Sequence, residues 1–503
     1  MHKKSLPSPM WPEVFRSDKA STKAVSRAVD AGELRPLGLS LYTSNLTDPP
    51  EAIIARHRWR ILGLLSPGAT VSYRTALTMR PEVDGTVFLT GAVRYERDLP
   101  GLRIRVVKGP APLEHDTPFA PGLALASRER ALLEALKPTK ARGGIRRGVD
   151  AGEAERVLEQ AFQTGGESAV NRFRDRARDI APLLDADREF TMIHRAAAVI
   201  LGSRPGTTSV PTAAARLAGT PYDQDRERLF ESLFQALREF APPELPDAGA
   251  SAPSAFTNVA FFDAYFSNFI EGTEFEVDEA HGIVFDGRIP AARPADAHDV
   301  LGTHAIVGSR RWMDRPLAAL PSNEAYEDHL RAMHAVIMEA RPEKRPGEFK
   351  EVANRAGDTS FVAPDLVRGT LRRGLDFARA LTEPLQRAIA VMFVLSEVHP
   401  FDDGNGRVAR AAMNAELVSA KSTRIIIPSV FRDEYLSGLR NLSRQGYAAT
   451  LIEVLAHAQQ WTAAVSWADY AAAEQTLRAC HAFERPRPDI RLHMPRALRP
   501  ARG

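Results

Sequence analysis

Cysteine is nearly missing: Cys480 is the sole one in 503 residues, so neither an intramolecular disulfide nor a cysteine-rich metal centre can form. That scarcity suits a reducing compartment. Long apolar runs are missing as well. The stretch Ala388 to Leu395 falls far short of the roughly 18 residues a membrane span requires, and no membrane partner is expected. The start, MHKKSLPSPMWPEVF, has two lysines but no apolar segment behind them, so the expected location is cytoplasmic. No internal repeat at solenoid periods is present.

What the chain does have is material for real cores. Hydrophobic residues make up 44% and charged residues 26%, the balance of a folded protein. A chain of this length predicts about three domains. The net charge of +3 is small but unevenly spread. Residues 1–60 hold ten Lys/Arg against six Asp/Glu, and residues 481–503 hold six Arg against two acids. A basic end is ordinarily a solvated face; beside a helix-turn-helix pattern it becomes a footprint for nucleic acid.

Residues 1–50 carry such a pattern. Ala24, Val25, Ala28, Val29 and Leu34 fall at helical spacing before an alternation of Leu37, Leu39 and Leu41 with Gly38, Ser40 and Tyr42, which reads as a helix and a wing hairpin. The helix would expose Thr22, Lys23, Ser26 and Arg27, types that contact phosphates and base edges. An ordinary polar surface helix explains them equally well. Strands are predicted at TVFLTG (86–91) and LRIRVVKG (102–109), and a helix at LASRERALLEAL. This order, a winged unit, SPGATVSYRTAL, a few strands and the S-R-E-R-A-L helix, resembles the AbiEi-type antitoxin and transcriptional-regulator proteins over roughly residues 10–245. Residues 51–240 would be its α/β and helical region. Pro, Ala, Gly and Ser dominate residues 241–255, which predicts a linker. From 256 to 473 helical patterns return, at 258–270, 298–307, 322–340, 365–380, 384–398, 406–420, 432–443 and 447–468, giving an all-α domain with a short hairpin. Residues 474–503, rich in Arg and Pro, predict an unpacked basic tail.

The chemistry concentrates in His399-Pro400-Phe401-Asp402-Asp403-Gly404-Asn405-Gly406-Arg407-Val408-Ala409-Arg410. Pro400 excludes a helical conformation at the residue before it, so His399 sits at a helix end. Gly404, Asn405 and Gly406 can turn successive N–H groups toward one point, an anion nest at the start of the next helix. Arg407 and Arg410 are three apart and can grip two phosphates. Asp403 is a hard oxygen ligand suited to magnesium alongside phosphate oxygens, and an imidazole such as His399 takes a proton at neutral pH. Phosphate-ester transfer unites these parts. An EF-hand would need oxygen ligands where glycines stand, and a P-loop would need Gly-Lys-Ser/Thr.

This segment matches H-x-F-x-[D/E]-G-N-G-R-x-x-R, the signature of the Fic (Fido) family, which the chain resembles over residues 255–470. The resemblance implies an all-α core that transfers AMP from ATP, with Mg2+, to a Ser, Thr or Tyr hydroxyl of a target protein. By position, His399 would be the base, Asp403 the metal ligand, Gly404, Asn405 and Gly406 the phosphate cradle, and Arg407 and Arg410 the holders of the β- and γ-phosphates. Phe401 would anchor the loop in the core. Upstream, Ser267-Asn268-Phe269-Ile270-Glu271-Gly272 resembles the family's inhibitory S/T-x-x-x-E-G/N helix, here within 258–272. Ser267 and Glu271 share a helical face, and Glu271 would occupy Arg410 and displace the γ-phosphate. The segment 349–367 resembles the flap hairpin that pairs with a target's backbone, with a turn at Gly357-Asp358 and Thr359, Ser360, Phe361 and Val362 along the edge. Ala363-Pro364 stands where the family commonly has two prolines. Tyr435 falls where relatives place an aromatic beside adenine. The alternatives are a DNA-binding regulator of its own operon, contacting DNA through residues 1–60 with the Fic domain as nucleotide sensor, and a Fic enzyme that uses another donor or removes AMP. A homodimer is left open.

Overall fold

The computed structural model describes residues 11–139, 145–245, 253–357 and 359–495. It divides into two compact units, residues 1–217 and 218–503.

In the first unit, β1 (Val14–Arg16), α1 (Thr22–Asp30), β2 (Arg35–Gly38) and β3 (Leu41–Thr43) form a three-stranded sheet, in the order β1-β3-β2, beside one helix. The predicted hairpin is present. Leu39 and Ser40 make its turn, both at positive φ (53° and 62°), as a two-residue primed turn requires. Leu39 therefore sits in the turn instead of on a strand. A helix-turn-helix needs a second helix before the wing, and none lies between residues 11 and 44.

Next come α2 (Pro50–Arg56), α3 (Arg58–Leu65), β4 (Ala69–Val71), α4 (Tyr73–Thr78), β5 (Thr86–Gly91), β6 (Tyr95–Leu99), β7 (Leu102–Lys108), β8 (Thr117–Ala120), β9 (Leu123–Leu125) and α5 (Arg128–Leu136). The six strands form a mixed sheet ordered β6-β7-β5-β4-β9-β8, in which β5 runs parallel to β7 and β4 to β9. In β7, Leu102, Ile104 and Val106 are buried while the residues between them are not. This period of two is the reason LRIRVVK pairs as a strand. Ser127 caps α5 by accepting the Arg130 N–H. Two longer helices, α6 (Ala151–Ile180) and α7 (Asp187–Ile200), and the short α8 (Pro211–Leu217) complete the unit.

The second unit starts earlier than the Pro/Ala-rich segment suggests. Helix α9 (Gln224–Glu239) buries Phe230, Leu233 and Leu237 in the same core as α15 (Val367–Arg379) and α16 (Pro384–Val398). Its apolar stripe at i, i+3 and i+7 has to be covered, and those helices cover it. The rest is α10 (Pro253–Ile270), α11 (Val277–Asp286), α12 (Pro294–Val307), α13 (Arg310–Met313), α14 (Asn323–Ile337), β10 (Arg355–Ala356), β11 (Thr359–Ser360), α17 (Asn405–Ser419), α18 (Arg432–Gln445), α19 (Ala449–Ala463) and α20 (Tyr470–Ala479). The eight expected helices are all present. Helix α16 is buried all round from Ala388 to Leu395, as its continuous apolar run demands.

The tail expectation is corrected over its described part. Residues 470–479 are helical, and Leu477, Cys480 and Ala482 are buried with Phe261, Phe262 and Trp467 in one cluster. Trp461 Nε1 donates to His493 O at 3.0 Å. Phe483, Leu492 and Met494 supply apolar surface that outweighs the Arg/Pro composition around them. Residues 496–503 lie outside the described residues. No helix among the described residues is long and apolar enough to cross a membrane.

Candidate functional site

Two helix ends and one turn, all in the second unit, build the site. Helix α16 stops at Val398, and His399 follows with φ +52° and ψ +60°, its N–H bonded to Leu395 O. The loop then runs to Gly404, whose φ of +72° starts α17. A side chain there would also collide with Met338 Sδ at 2.7 Å, so only glycine suits both the backbone and the space.

The loop is held from beneath by side chains. Phe401 is fully buried and stacks on His334, with centroids 3.9 Å apart. The Asn405 side chain closes the loop on itself: its Oδ1 accepts Phe401 N–H at 2.8 Å, and its Nδ2 donates to Phe401 O at 2.9 Å. Gly347 N–H donates to His334 Nδ1, which leaves the proton on Nε2, 3.1 Å from Asp403 O. His334 is thus a neutral strut, and burial pushes its pKa down to about 4. Lys350 N–H donates to Pro400 O and its ammonium to Val398 O and Asn354 Oδ1. Burial lowers the Lys350 pKa to about 8. No local spacing marked His334, Lys350 or Asn354 in the sequence; their roles exist only where α14 and the flap meet the loop.

A cavity of about 630 Å³ opens above this loop, walled by Glu271, Phe361, His399, Gly406, Arg410 and Tyr435. His399 is half-buried in it. Desolvation by burial holds its pKa down at about 4, with Lys350 acting the same way and the Ser396 carbonyl opposing. Arg410 is buried and donates to Glu271 Oε1 at 2.7 Å, Ser267 Oγ at 3.0 Å and Ser267 O at 2.8 Å. Glu271 lies just past the helical part of α10, which ends at Ile270. Gly272, at φ +88°, turns the chain away directly after it. The carboxylate rests against the first turn of α17: a Cβ on Gly406 would fall 2.1 Å from Glu271 Oε1. It therefore occupies the positive end of that helix, where an anion is favoured.

Arg407 departs from its expected place. It does not line the cavity; its buried guanidinium pairs with Asp299 at 3.0 Å and approaches Asp403 Oδ1 at 3.8 Å. Three helical positions separate two side chains by about 60° around the axis. Asp299, gripped on its other side by Arg341, draws Arg407 inward, so the two arginines do not converge. Tyr435 is buried, its hydroxyl 3.4 Å from Met392 Sδ, and burial raises its pKa.

The flap hairpin is present but shorter than expected. Strands β10 and β11 pair Arg355 with Ser360 and Ala356 with Thr359 around Gly357; Asp358 lies outside the described residues. Phe361 and Val362 leave the strand. Val362 is buried, and Phe361 stacks on His399 with centroids 3.8 Å apart and planes within 4°. Burial of Val362 and the stacking of Phe361 on His399 override their strand propensity.

For magnesium the loop offers the Asp403 carboxylate. Asp403 has a side chain 43% exposed, and its Oδ1 accepts Gly404 N–H at 2.7 Å. Among the described residues no group of three His, Cys, Asp or Glu could hold a metal ion. A single accessible carboxylate suits an ion that takes its other ligands from phosphate and water.

The Fic/DOC family profile matches residues 324–417, which spans α14 to most of α17. The protein adenylyltransferase fic-1 of Caenorhabditis briggsae is 26% identical over 184 residues, covering 36% of this chain and 36% of that protein. The chain therefore spans little more than a third of that relative's length. A Fido domain-containing protein of Dictyostelium discoideum is 31% identical over 103 residues, covering 20% of this chain and 72% of the relative. A solved Fic-1 structure from Caenorhabditis elegans covers 65% of this chain and 98% of its own, at 20% identity and a TM-score of 0.36. Because the Dictyostelium discoideum relative is 31% identical and is matched over 72% of its own length, the chain belongs to the Fic/DOC family.

Proposed function

We propose that this protein is a cytoplasmic adenylyltransferase that moves AMP from ATP to a hydroxyl on a target protein and is restrained by its own Glu271. The observation that carries the reading is the meeting of His399, the N-terminal turn of α17 and the Arg410–Glu271 pair in one cavity. The target hydroxyl attacks the α-phosphorus in line. A bond forms between that oxygen and phosphorus, the bond to the bridging oxygen breaks, and pyrophosphate leaves. His399 takes the hydroxyl proton on Nε2, and the amides at Gly404 to Gly406 meet the charge on the phosphate oxygens. Magnesium, held by Asp403 and the phosphates, would neutralise developing negative charge. Arg410 would bind the terminal phosphate once Glu271 is displaced. Arg407, through Asp299 and Asp403, would hold the loop in shape, and Tyr435 would wall the nucleoside side. The exposed edge of β10–β11 would align the target.

Incubation with α-labelled ATP and Mg2+ tests this. Glu271→Gly should label protein strongly and His399→Ala should not; equal labelling by the two overturns the transferase reading. Donors other than ATP are separated by the same incubation with another α-labelled nucleotide, and removal of AMP by loss of label from protein modified beforehand.

A second reading, DNA contact by the first unit, is favoured by the exposure of Thr22, Lys23, Ser26 and Arg27 on α1. Affinity for the upstream promoter measured against salt tests it; equal affinity for unrelated sequence overturns it.

A further inference from the structure

The flap ends on a contact that lies outside the motif. Phe361 N–H donates to Asn354 O at 3.2 Å, and the ring lies flat on the His399 imidazole. On the same imidazole, Nδ1 is 3.3 Å from Ser396 O. A carbonyl only accepts, so the proton of the neutral ring sits on Nδ1 and Nε2 keeps its lone pair.

Three side chains hold the flap in that position. Arg226 Nη2 donates to Ser360 O at 2.7 Å, and Arg444 Nη2 donates to Thr359 Oγ1 at 3.1 Å. Lys350 donates to Asn354 Oδ1 with its ammonium 6.0 Å from the Phe361 ring centroid. Arg226 also pairs with Glu397 at 3.0 Å, two residues before His399. Arg226, through Ser360 and Glu397, and Lys350, through Asn354 and Val398 O, therefore fasten the flap to the end of α16 beside the imidazole.

We infer that Phe361 is a positioning residue that clamps the His399 ring in the one plane and tautomer in which Nε2 can accept the target's proton, and screens that ring from water. This deepens the transfer reading and rests on it. The charged groups facing His399 are cationic Lys350 and anionic Glu271 and Asp403; burial outweighs them. Removing the ring would rehydrate the imidazole and move its pKa up from about 4 toward the ordinary value of about 6.5.

The test compares Phe361→Ala, Phe361→Leu and Phe361→Tyr in the Glu271→Gly background, each checked for unchanged thermal unfolding. Ala and Leu should lower kcat about 10- to 100-fold, with KM for ATP changed less than about threefold; Tyr, which keeps a flat face, should restore most of the rate. Because the base must be unprotonated, the acid limb of the kcat profile should move up by about one unit in Phe361→Ala. Nitrogen-15 NMR of the imidazole, assigned against His399→Ala, reads the tautomer without turnover: Nδ1–H in the parent, a mixture in Phe361→Ala. A Leu variant as fast as the parent, faster labelling by Ala, or an unchanged tautomer overturns the clamp. If the Glu271→Gly parent labels nothing, the transfer reading fails, and the NMR result still decides the clamp.

Discussion

Replacing Glu271 with glycine should make the protein less stable and better at binding ATP at the same time. Arg410 has a side chain 5% exposed and Glu271 one 31% exposed. Stripping the partner from a fully buried pair costs about 3–5 kcal/mol, whereas exposed pairs contribute about 1 kcal/mol or less. Glu271 stands between these limits, and Arg410 keeps both bonds to Ser267, so a loss of about 1–2 kcal/mol is expected. For a unit of this size that lowers the melting temperature by about 2–6 °C. The vacated space lies at the first turn of α17, where a phosphate would otherwise meet a carboxylate. Two such charges 4 Å apart repel by about 4 kcal/mol at an effective dielectric of 20. Screening at a partly open site halves this to about 2 kcal/mol, or about 30-fold in affinity. Thermal unfolding with and without ATP and Mg2+ reads both effects: the variant melts lower alone and gains more from nucleotide than the parent. A lower melting temperature with the same nucleotide gain would refute the competition between Glu271 and phosphate.

Asp263→Ala should cost about 3 kcal/mol or more, because Arg424 then loses its partner at 3.0 Å in a site where both side chains are under 5% exposed; a urea midpoint close to the parent's would contradict this. Gly404→Ala should destabilise by about 1–3 kcal/mol through its positive φ and the collision with Met338, and should also slow transfer, since the amide nest is displaced; normal kinetics would count against the nest. His304, His329, His334 and His399 are each held at about 4 by burial. Unfolded, they bind protons near 6.5, so stability is fully present above that pH and falls as pH drops from about 6.5 to about 4. Urea unfolding at pH 7.5 and 5 should show this loss, and equal midpoints would oppose it.

Much of the second unit is legible in local pattern. The apolar stripes of α14, α15 and α18 state which face is buried, the unbroken apolar run of α16 states that no face is exposed, and the H-x-F-x-D-G-N-G-R-x-x-R spacing places an imidazole, a nest and a carboxylate on consecutive turns of chain. The Ser267–Glu271 spacing likewise sets a hydroxyl and a carboxylate about one helical turn apart. Each of these depends on residues a few positions apart, whose relative geometry follows from helix and turn stereochemistry. The direction of Arg407 does not: it follows from Asp299, more than a hundred positions upstream and itself gripped by Arg341. The tautomer of His334, the stacking of Phe361 on His399 and the packing of residues 480–494 under α10 depend in the same way on partners brought together by folding. Composition and periodicity report what a segment prefers when taken alone; a buried charge or a ring face is satisfied by whatever distant group the completed core sets against it.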